Sequence, residues 1–473
     1  MFNRRITLAA VCLATAMLML DIAVVNTGLT HIARSLHTGV SGVQWVVDAY
    51  TLALAATVLT AGSLSDRFGR RRALLAGLGV FIVASAACAT SLSIAALETA
   101  RAFQGIGAAA MFATSLAILA DAFEDPAARS GAFAAYGATI GGCFALGPVV
   151  GGALTTGLGW RSVFYLNIPL GIVCVALIVA GVRESRDPRP RRVDLPGQLM
   201  LCAGLFLLVL ALLRSNSDGW SSPGIVAELA AAAVLLAGFV VIQQTKKQPM
   251  LPLGLFANRS FTGAQVAAFA ISASFFAMFF YATIYLQAVL HMSPLAAGLV
   301  YLPACFVMFA VSGASAQLLG RVSHGVMISG GLALVAIGMV LCLGAGVHTS
   351  WIVLVPGLLV AGLGTGLFNP ALSAVALGEA PSALSGLAAG TNDLFRNVGI
   401  ALGVAALGAL MPSRSLLNGG DPAHFVTGFH HALVASAVLS AAGAVASFAL
   451  IRPRSEVSAE PAGELAVAAE LVA

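Results

Sequence analysis

The sequence predicts an all-α polytopic membrane protein with fourteen transmembrane helices. Of its 473 residues, 59% are hydrophobic and only 9% are charged, and the mean hydropathy is +0.96. Water-soluble domains carry about 25% charged residues, so this composition excludes a water-soluble globular protein. Apolar runs of about 20 residues, the length that crosses a bilayer as a helix, recur along the whole chain.

The apolar runs fall into two blocks of six with a pair between them. The first block predicts spans at residues 6–29, 45–64, 73–92, 94–119, 131–154 and 163–182. The segment 183–194, RESRDPRPRRVD, follows it, and its prolines and alternating charges are typical of a solvated linker. The inserted pair is predicted at 195–213 and 225–242, and the last six spans at 261–286, 296–319, 326–347, 351–372, 384–410 and 429–451.

This pattern divides the chain into four regions. We expect a six-helix bundle over 1–182, a linker with two inserted helices over 183–255, a second six-helix bundle over 256–454 and a disordered cytoplasmic tail over 455–473. A weak internal repeat supports two related halves. The loop after the second span of each block carries its four matching positions at equal offsets: Gly62, Asp66, Gly69 and Arg70, then Gly313, Gln317, Gly320 and Arg321.

The positive residues predict the orientation in the membrane. With a cytoplasmic N-terminus, 18 of the 24 lysines and arginines lie on the cytoplasmic side, four lie on the outer side and two lie within spans. Cytoplasmic loops of membrane proteins are enriched in these residues, so both termini are expected in the cytoplasm. The net charge of +5 and the pI of 9.0 then reflect topology, and no nucleic-acid partner is expected.

A short charged loop joins the second and third spans. It reads GSLSDRFGRRR over residues 62–72, and its candidate functional residues are Gly62, Asp66, Arg67, Gly69 and Arg70. Glycine allows a tight connection between two helices, while the arginines stay at the cytoplasmic surface. Asp66 is expected to pair locally or to cap a neighbouring helix N-terminus.

Ionisable residues inside the spans are costly and therefore indicate function. Asp21, in the first span, is the first candidate for proton coupling, against the alternative of a carboxylate neutralised by protonation or by a buried partner. Asp48 begins the second span, where we expect it to be hydrated near the outer surface.

In the fourth span, Glu98 and Arg101 are three residues apart and can neutralise each other, or Arg101 can couple a proton to substrate binding. Gln104 follows them as a further polar candidate.

The thirteenth span carries a second polar group. Asn392, Asp393 and Arg396 lie there in GTNDLFRNVGIALG, and Asp393 is the second candidate for proton coupling. Asp393 and Arg396 are at i and i+3, so they either pair with each other or contact a central cavity.

The fifth span contains a proline among glycines. Its sequence GPVVGG supplies Gly147, Pro148, Gly151 and Gly152. Proline bends or softens a helix, and glycines one turn apart permit close contact with a partner helix. A generic packing face is the alternative to a functional motif.

Several segments together resemble the major facilitator superfamily, and specifically its fourteen-span drug:proton antiporters. LDIAVVNTGL from Leu20 is similar to the first-span acidic motif of that subfamily, WVVDAYTLALAA from Trp45 to its second span, and GSLSDRFGRRR to the cytoplasmic-loop motif of the superfamily. LETARAFQGIG from Leu97 is similar to the fourth-span arginine motif, and GPVVGG to the fifth-span antiporter motif. The segments WRSVFYLNIPLG, 160–171, and QPMLPLGLFANRSF, 248–261, also resemble this subfamily.

The resemblance implies both a fold and a function. The fold is two six-helix bundles plus two inserted helices, and the function is proton-coupled efflux of amphipathic or cationic organic compounds such as antibiotics across the cytoplasmic membrane by alternating access. It also implies that Asp66 and Arg70 belong to a conformational latch and that Arg101 takes part in proton coupling. Gln317 replaces the acid in the second copy of the loop motif, so no latch role is expected there.

Two related functions stay open: a dedicated exporter of a single metabolite, and a proton-linked uptake transporter. An enzyme or sensor is not expected, because the sequence has no polar catalytic cluster and no sizeable soluble domain. We expect no cofactor and no metal, with the proton gradient as energy source, and the seven cysteines lack metal-site spacing. The expected partners are a small-molecule substrate, protons and the lipid bilayer, with the protein acting as a monomer.

Overall fold

The computed structural model describes residues 3–123, 125–187, 193–246, 248–318, 321–379, 384–412 and 416–451. The disordered tail predicted over 455–473, residues 188–192 of the linker and Gly320 of the weak repeat lie outside the described residues.

The described chain forms fourteen long helices in the predicted order. The first six are α1 (Arg4–Ser35), α2 (Val40–Phe68), α3 (Arg70–Thr90), α4 (Ile94–Ala122), α5 (Pro126–Leu158) and α6 (Ser162–Gly181). The inserted pair is α7 (Leu195–Asp218) and α8 (Pro223–Thr245). The last six are α9 (Arg259–Val289), α10 (Pro294–Ala316), α11 (His324–Leu341), α12 (Val355–Gly378), α13 (Ser385–Gly408) and α14 (Pro422–Leu450).

Local capping signals explain where several helices begin. Asp194, Ser222, Ser293 and Asp421 cap α7, α8, α10 and α14 with their side-chain oxygens, and each of these helices has a proline in its first turn. Such a cap satisfies a free backbone N–H, and proline lacks the N–H that the first turn leaves unpaired. This signal places the start of α14 at Pro422, earlier than the predicted residue 429.

Thirteen of the described helices are long and apolar enough to cross a membrane, and α13 is not among them. It carries Asn392, Asp393, Arg396 and Asn397 within two turns. Because α13 packs between α2, α7 and α9, these polar groups lie inside the bundle rather than against lipid.

The two blocks of six form two bundles with the same internal packing. In the first bundle α2 and α3 contact α4, α1 contacts α5 and α6, and α3 contacts α6. The second bundle repeats each contact, with α9 to α14 in the places of α1 to α6. The bundles meet through α5 with α10 and through α2 with α13, which are again equivalent pairs. The fold is therefore a pseudo-symmetric pair of six-helix bundles, as predicted, while the residue boundaries drawn from the sequence stay a prediction.

The inserted pair covers only one of the two seams between the bundles. α7 packs on α8, and it also contacts α2 and α13. The Gln198 side-chain amide donates to the Ala56 carbonyl of α2 at 2.6 Å, and Asn216 donates to the Met411 carbonyl just beyond α13. Burial disfavours the charged form of Asp194, but its contacts with Lys246, the Gly197 N–H and Gln243 hold its pKa below its usual value.

The bundles are joined at one end. We call the end where the described chain begins and finishes, at Asn3 and Ile451, the proximal end, and the other the distal end. At the distal end Gln44 of α2 donates to the Tyr281 hydroxyl of α9 at 2.7 Å. The Gln287 side chain of α9 donates to the Thr27 carbonyl of α1 at 2.9 Å and accepts from the Thr30 hydroxyl. These bonds close the distal end between the bundles.

Some glycines in the proximal parts of α5 and α10 have open space beside them. A side chain placed at Gly131 or Gly137 of α5, or at Gly313 of α10, would meet no neighbouring atom within 4 Å. At the distal end of the same seam, a side chain at Gly298 would come within 2.2 Å of the Pro148 carbonyl oxygen. The side-chain hydrogen bonds between the bundles and the tightest α5–α10 contact therefore lie at the distal end, whereas these proximal glycines have open space beside them.

Candidate functional site

A buried ion pair lies at the centre of the first bundle. Asp21 of α1 is 2% exposed, and its Oδ2 lies 2.5 Å from Nη1 of Arg101 in α4. Its Oδ1 accepts hydrogen bonds from the side-chain amides of Gln104 and Asn167, each at 2.8 Å. A carboxylate buried in an apolar bundle requires such partners, and here two helices, α4 and α6, supply them.

Arg101 is held on several sides besides its carboxylate. Its Nε donates to the Val46 carbonyl of α2 at 3.0 Å, and its Nη1 donates to Gln104 Oε1 at 2.7 Å. The guanidinium carbon lies 4.2 Å from the ring centroid of Tyr50, a cation–π contact. Arg101 therefore links α1, α2 and α4, so the charge of Asp21 affects the packing of three helices.

One pairing that the sequence allowed does not form. The spacing allowed Glu98 to neutralise Arg101, but Arg101 pairs with Asp21, and Glu98 is partly exposed. The reason is that α1 packs within reach of Arg101, a contact that spacing along α4 cannot show. Ser85 and Asn167, which were not among the predicted site residues, complete the hydrogen-bond network around Asp21 and Arg101. An asparagine within an apolar run was the available signal for Asn167.

Asp48 also differs from its expectation. It is completely buried rather than hydrated near a surface, and neither carboxylate oxygen has a hydrogen-bond partner among the described residues. The cause is the second bundle, because Tyr281 of α9 and the carbonyl of Val404 in α13 meet Gln44 one turn before Asp48 and cover this part of α2.

The polar group of α13 faces the space between the bundles. Asp393 and Arg396 are both partly exposed, and no salt bridge within 4.0 Å joins them to each other or to another described residue. The Arg396 guanidinium lies over the Phe276 ring of α9, 5.9 Å from its centroid. Asn392 is buried and donates to Gln265 Oε1 of α9 at 3.2 Å. Only Asp393 and Arg396 of this group therefore face the space between the bundles.

Aromatic side chains of both bundles pack around Phe276, beside the space between the bundles. Its ring packs edge-on against Phe144 of α5, with 5.1 Å between centroids, and Phe144 also lies 6.1 Å from Phe279. Phe276 and Phe144 are half-buried, whereas Phe280 and Tyr281 are fully buried. The aromatic lining therefore comes from both bundles.

The charged loop between α2 and α3 binds within its own bundle. The Arg70 guanidinium donates to Asp66 Oδ1 at 2.9 Å, the local pairing that the sequence predicts. Gly69 has φ +113°, a conformation that favours glycine, and a side chain there would meet the Glu184 carboxylate. Glu184, which the sequence analysis missed, caps α3 by accepting from the Arg71 and Arg72 backbone N–H groups. Gly62 lies in α2 beside Ala113, and Arg67 lies over the Phe68 ring.

The glycines of GPVVGG lie where α5 meets two helices. A side chain at Gly147 would come within 2.3 Å of Ala23 in α1, and one at Gly151 within 2.4 Å of the Thr27 hydroxyl. One at Gly152 would come within 2.6 Å of the Pro294 carbonyl oxygen at the start of α10. α5 continues through Pro148 without a break. These positions bring α1, α5 and α10 into close contact near the distal end.

Replacing Gly151 with alanine should destabilise the protein by about 1–3 kcal/mol, because the added methyl group overlaps the Val24 backbone and Thr27. Gly137→Ala is the matched control, since the same helix has open space there and alanine is the better helix former. Thermal unfolding of the detergent-purified proteins measures the stability of each variant. Equal unfolding midpoints for the two variants would contradict the close contact between α1 and α5.

Comparisons with known proteins agree with this architecture. The sequence matches the Major Facilitator Superfamily profile over residues 11–404. It is 35% identical over 406 residues to the multidrug resistance protein Stp of Mycobacterium tuberculosis (strain CDC 1551 / Oshkosh), covering 86% of this chain and 75% of Stp. It is 32% identical over 479 residues to the drug efflux pump JefA of the same strain, covering 99% of this chain and 93% of JefA.

A solved structure of the peptide transporter POT in complex with sulfate has the same fold. It superposes with a TM-score of 0.66 at 17% sequence identity, over 92% of this chain and 93% of that chain. Two equivalent six-helix bundles and a matching family profile over most of the sequence lead to one conclusion: the chain belongs to the Major Facilitator Superfamily of membrane transporters.

Proposed function

We propose that this protein exports amphipathic organic molecules, antibiotics among them, across the cytoplasmic membrane by proton-coupled alternating access. The observation that carries the proposal is the pair of equivalent bundles, which side-chain hydrogen bonds join at the distal end and which leave Asp393 and Arg396 of α13 partly exposed. Relatives named as a multidrug resistance protein and a drug efflux pump support the export of drugs.

We infer that the proximal end faces the cytoplasm, with both termini there. The support is the positive-inside rule, because Arg67, Arg70, Arg71 and Arg72 all lie at that end. On this assignment the structure corresponds to the inward-open state. The distal contacts of Gln44, Tyr281 and Gln287 must then break when the transporter opens outward.

The Asp21–Arg101 pair is our first choice for the proton-coupling site. A proton that reaches Asp21 removes the negative charge that holds Nη1 of Arg101, and Arg101 also contacts Val46 of α2. Protonation can therefore alter how α1, α2 and α4 pack. Asp393, which faces the space between the bundles, is the second choice. Asp48, Glu98, Gln104, Asn392 and Arg396 are further polar candidates.

The loop and the glycine motif have separate proposed roles. Gly62, Asp66, Arg67, Gly69 and Arg70 form the conformational latch, which in this state binds the segment after α6, where the Arg70 N–H donates to the Ser185 carbonyl. In the outward-open state the latch would contact the second bundle. Gly147, Pro148, Gly151 and Gly152 provide the tight seam against which the bundles move. The protein uses the proton gradient rather than a cofactor, and works as a monomer.

A drug-susceptibility panel in an efflux-deficient host tests the proposal. Cells that express the protein should tolerate at least one amphipathic antibiotic better than cells with an empty vector. They should also accumulate less of it until an uncoupler collapses the proton gradient. Higher accumulation on expression would indicate uptake and refute export. Tolerance to only one compound of the panel would indicate a dedicated exporter.

A further inference from the structure

Arg396 is a membrane-embedded cation whose hydrogen-bond donors the described residues leave unused. Its guanidinium makes no hydrogen bond and no salt bridge with any residue in the described parts of the chain, and it is only half-buried. Arg101 provides the contrast, because Asp21, Gln104 and the Val46 carbonyl occupy its donors. A guanidinium has five donors, and those of Arg396 are free to bind a ligand.

Asp393, one helical turn away, interacts with Arg396 electrostatically but forms no salt bridge with it within 4.0 Å, so the guanidinium donors stay free. The Asp393 side chain lies close enough to the Tyr136 hydroxyl of α5 to interact with it electrostatically, whereas Arg396 lies over Phe276 of α9. The Tyr136 hydroxyl is buried and has no hydrogen-bond partner among the described residues. Asp393 therefore lies near Tyr136 of the first bundle, whereas the Arg396 guanidinium contacts a ring of its own bundle.

Aromatic rings from both bundles border the free guanidinium. Phe276 lies directly under Arg396, and Phe144 packs edge-on against Phe276 from the opposite bundle. Flat aromatic ligands stack on such rings, and a guanidinium binds carboxylate or phenolate oxygens with charge-assisted hydrogen bonds. A lipophilic cation has no anionic oxygen to accept these hydrogen bonds, and the guanidinium repels it.

We propose that Arg396 selects substrates by charge, so that the site takes flat aromatic compounds with an anionic oxygen and disfavours permanent cations. This inference rests on the proposed export function and narrows its substrate class. Arg396 binds the anionic oxygen, while Phe276 and Phe144 bind the ring system. The cationic substrates that the family resemblance implies are then the poorer ligands.

Two dyes of similar shape and opposite charge test this selectivity. Resorufin is a flat three-ring anion at neutral pH, and pyronin Y is a flat three-ring cation. Fluorescence titration of the purified protein in lipid nanodiscs, without any gradient, gives the affinity for each. We expect resorufin to bind about tenfold more tightly than pyronin Y, the ratio that one charge-assisted hydrogen bond provides.

Substitutions then assign the preference to one residue. Arg396→Gln should weaken resorufin binding about tenfold and strengthen pyronin Y binding. Arg396→Lys should keep the preference for the anion with weaker binding, since it keeps the charge and loses the planar fork. Arg161→Gln is the matched control, because Arg161 also lies over an aromatic ring, that of Trp160, but at the distal surface. It should leave both affinities unchanged.

Three results would overturn the inference: tighter or equal binding of pyronin Y by the unmodified protein, no binding of either dye, or an unchanged affinity ratio in Arg396→Gln. If Arg396→Gln does not fold, the dye affinities of the unmodified protein and of Arg396→Lys test the inference instead. Failure of the export proposal is a separate outcome, because binding is measured without transport. A protein that binds resorufin through Arg396 but lowers no drug accumulation in cells would refute export alone.

Discussion

Arg101→Ala is expected to lower the free energy of unfolding by about 3–5 kcal/mol and to abolish transport. The substitution leaves the Asp21 carboxylate buried at 2% exposure with only the amides of Gln104 and Asn167 as partners. It also removes the cation over Tyr50 and the hydrogen bond to Val46. Unfolding in detergent and drug accumulation in cells measure the two effects.

A second substitution separates the lost charge pair from the lost side-chain volume. The double variant Asp21→Asn/Arg101→Gln removes both charges, so it should recover part of the stability but none of the transport. Glu98→Gln is the matched control, since Glu98 lies one turn away on α4 and forms no salt bridge with Arg101. Near-normal stability of Arg101→Ala would show that the ion pair is not needed to hold the first bundle together.

Asp21→Asn is expected to abolish drug-dependent proton movement in everted membrane vesicles. Asparagine has nearly the shape of aspartate and its oxygen can still accept from Gln104 or Asn167, but it cannot carry a proton. A pH-sensitive dye inside the vesicles reports the proton movement after the drug is added. Asp21→Glu should retain part of it, because a titratable carboxyl remains beside Arg101.

Two further variants test whether the loss of proton movement is specific to Asp21. Asp218→Asn alters a partly exposed carboxylate that pairs with Arg214 at the distal end of α7, and it should behave like the unmodified protein. Asp393→Asn tests the second choice for the coupling site. Wild-type proton movement in Asp21→Asn would end the assignment of Asp21, and its loss in Asp393→Asn alone would move the coupling site to α13.

The relation between sequence and structure is clearest at the helix ends and the charged groups. The apolar runs predicted all fourteen helices, and capping residues such as Asp194 and Asp421 mark where two of them begin. Local pairing of Asp66 was one of the two alternatives that the sequence offered, and its partner Arg70 lies only four residues away. These features depend on neighbours in the sequence, so the sequence contains the information that determines them.

The partners of the other charges depend on helices far apart in the chain. Arg101 pairs with Asp21 rather than with Glu98, and Asp48 is covered by α9 and α13. Arg396 contacts Phe276 and forms no salt bridge with any residue that the structure describes. Many of these helices are apolar on nearly every face, so periodicity does not say which side meets which neighbour.

The sequence by itself determined that this chain is a membrane protein of fourteen helices in two related blocks, because each spanning helix must satisfy its own backbone hydrogen bonds and cover itself with apolar side chains. Only the tertiary structure decided which buried charges are neutralised and which face the space between the bundles. In lipid, helix association depends on close packing and on a few polar contacts, and those contacts form between residues that are distant in the sequence.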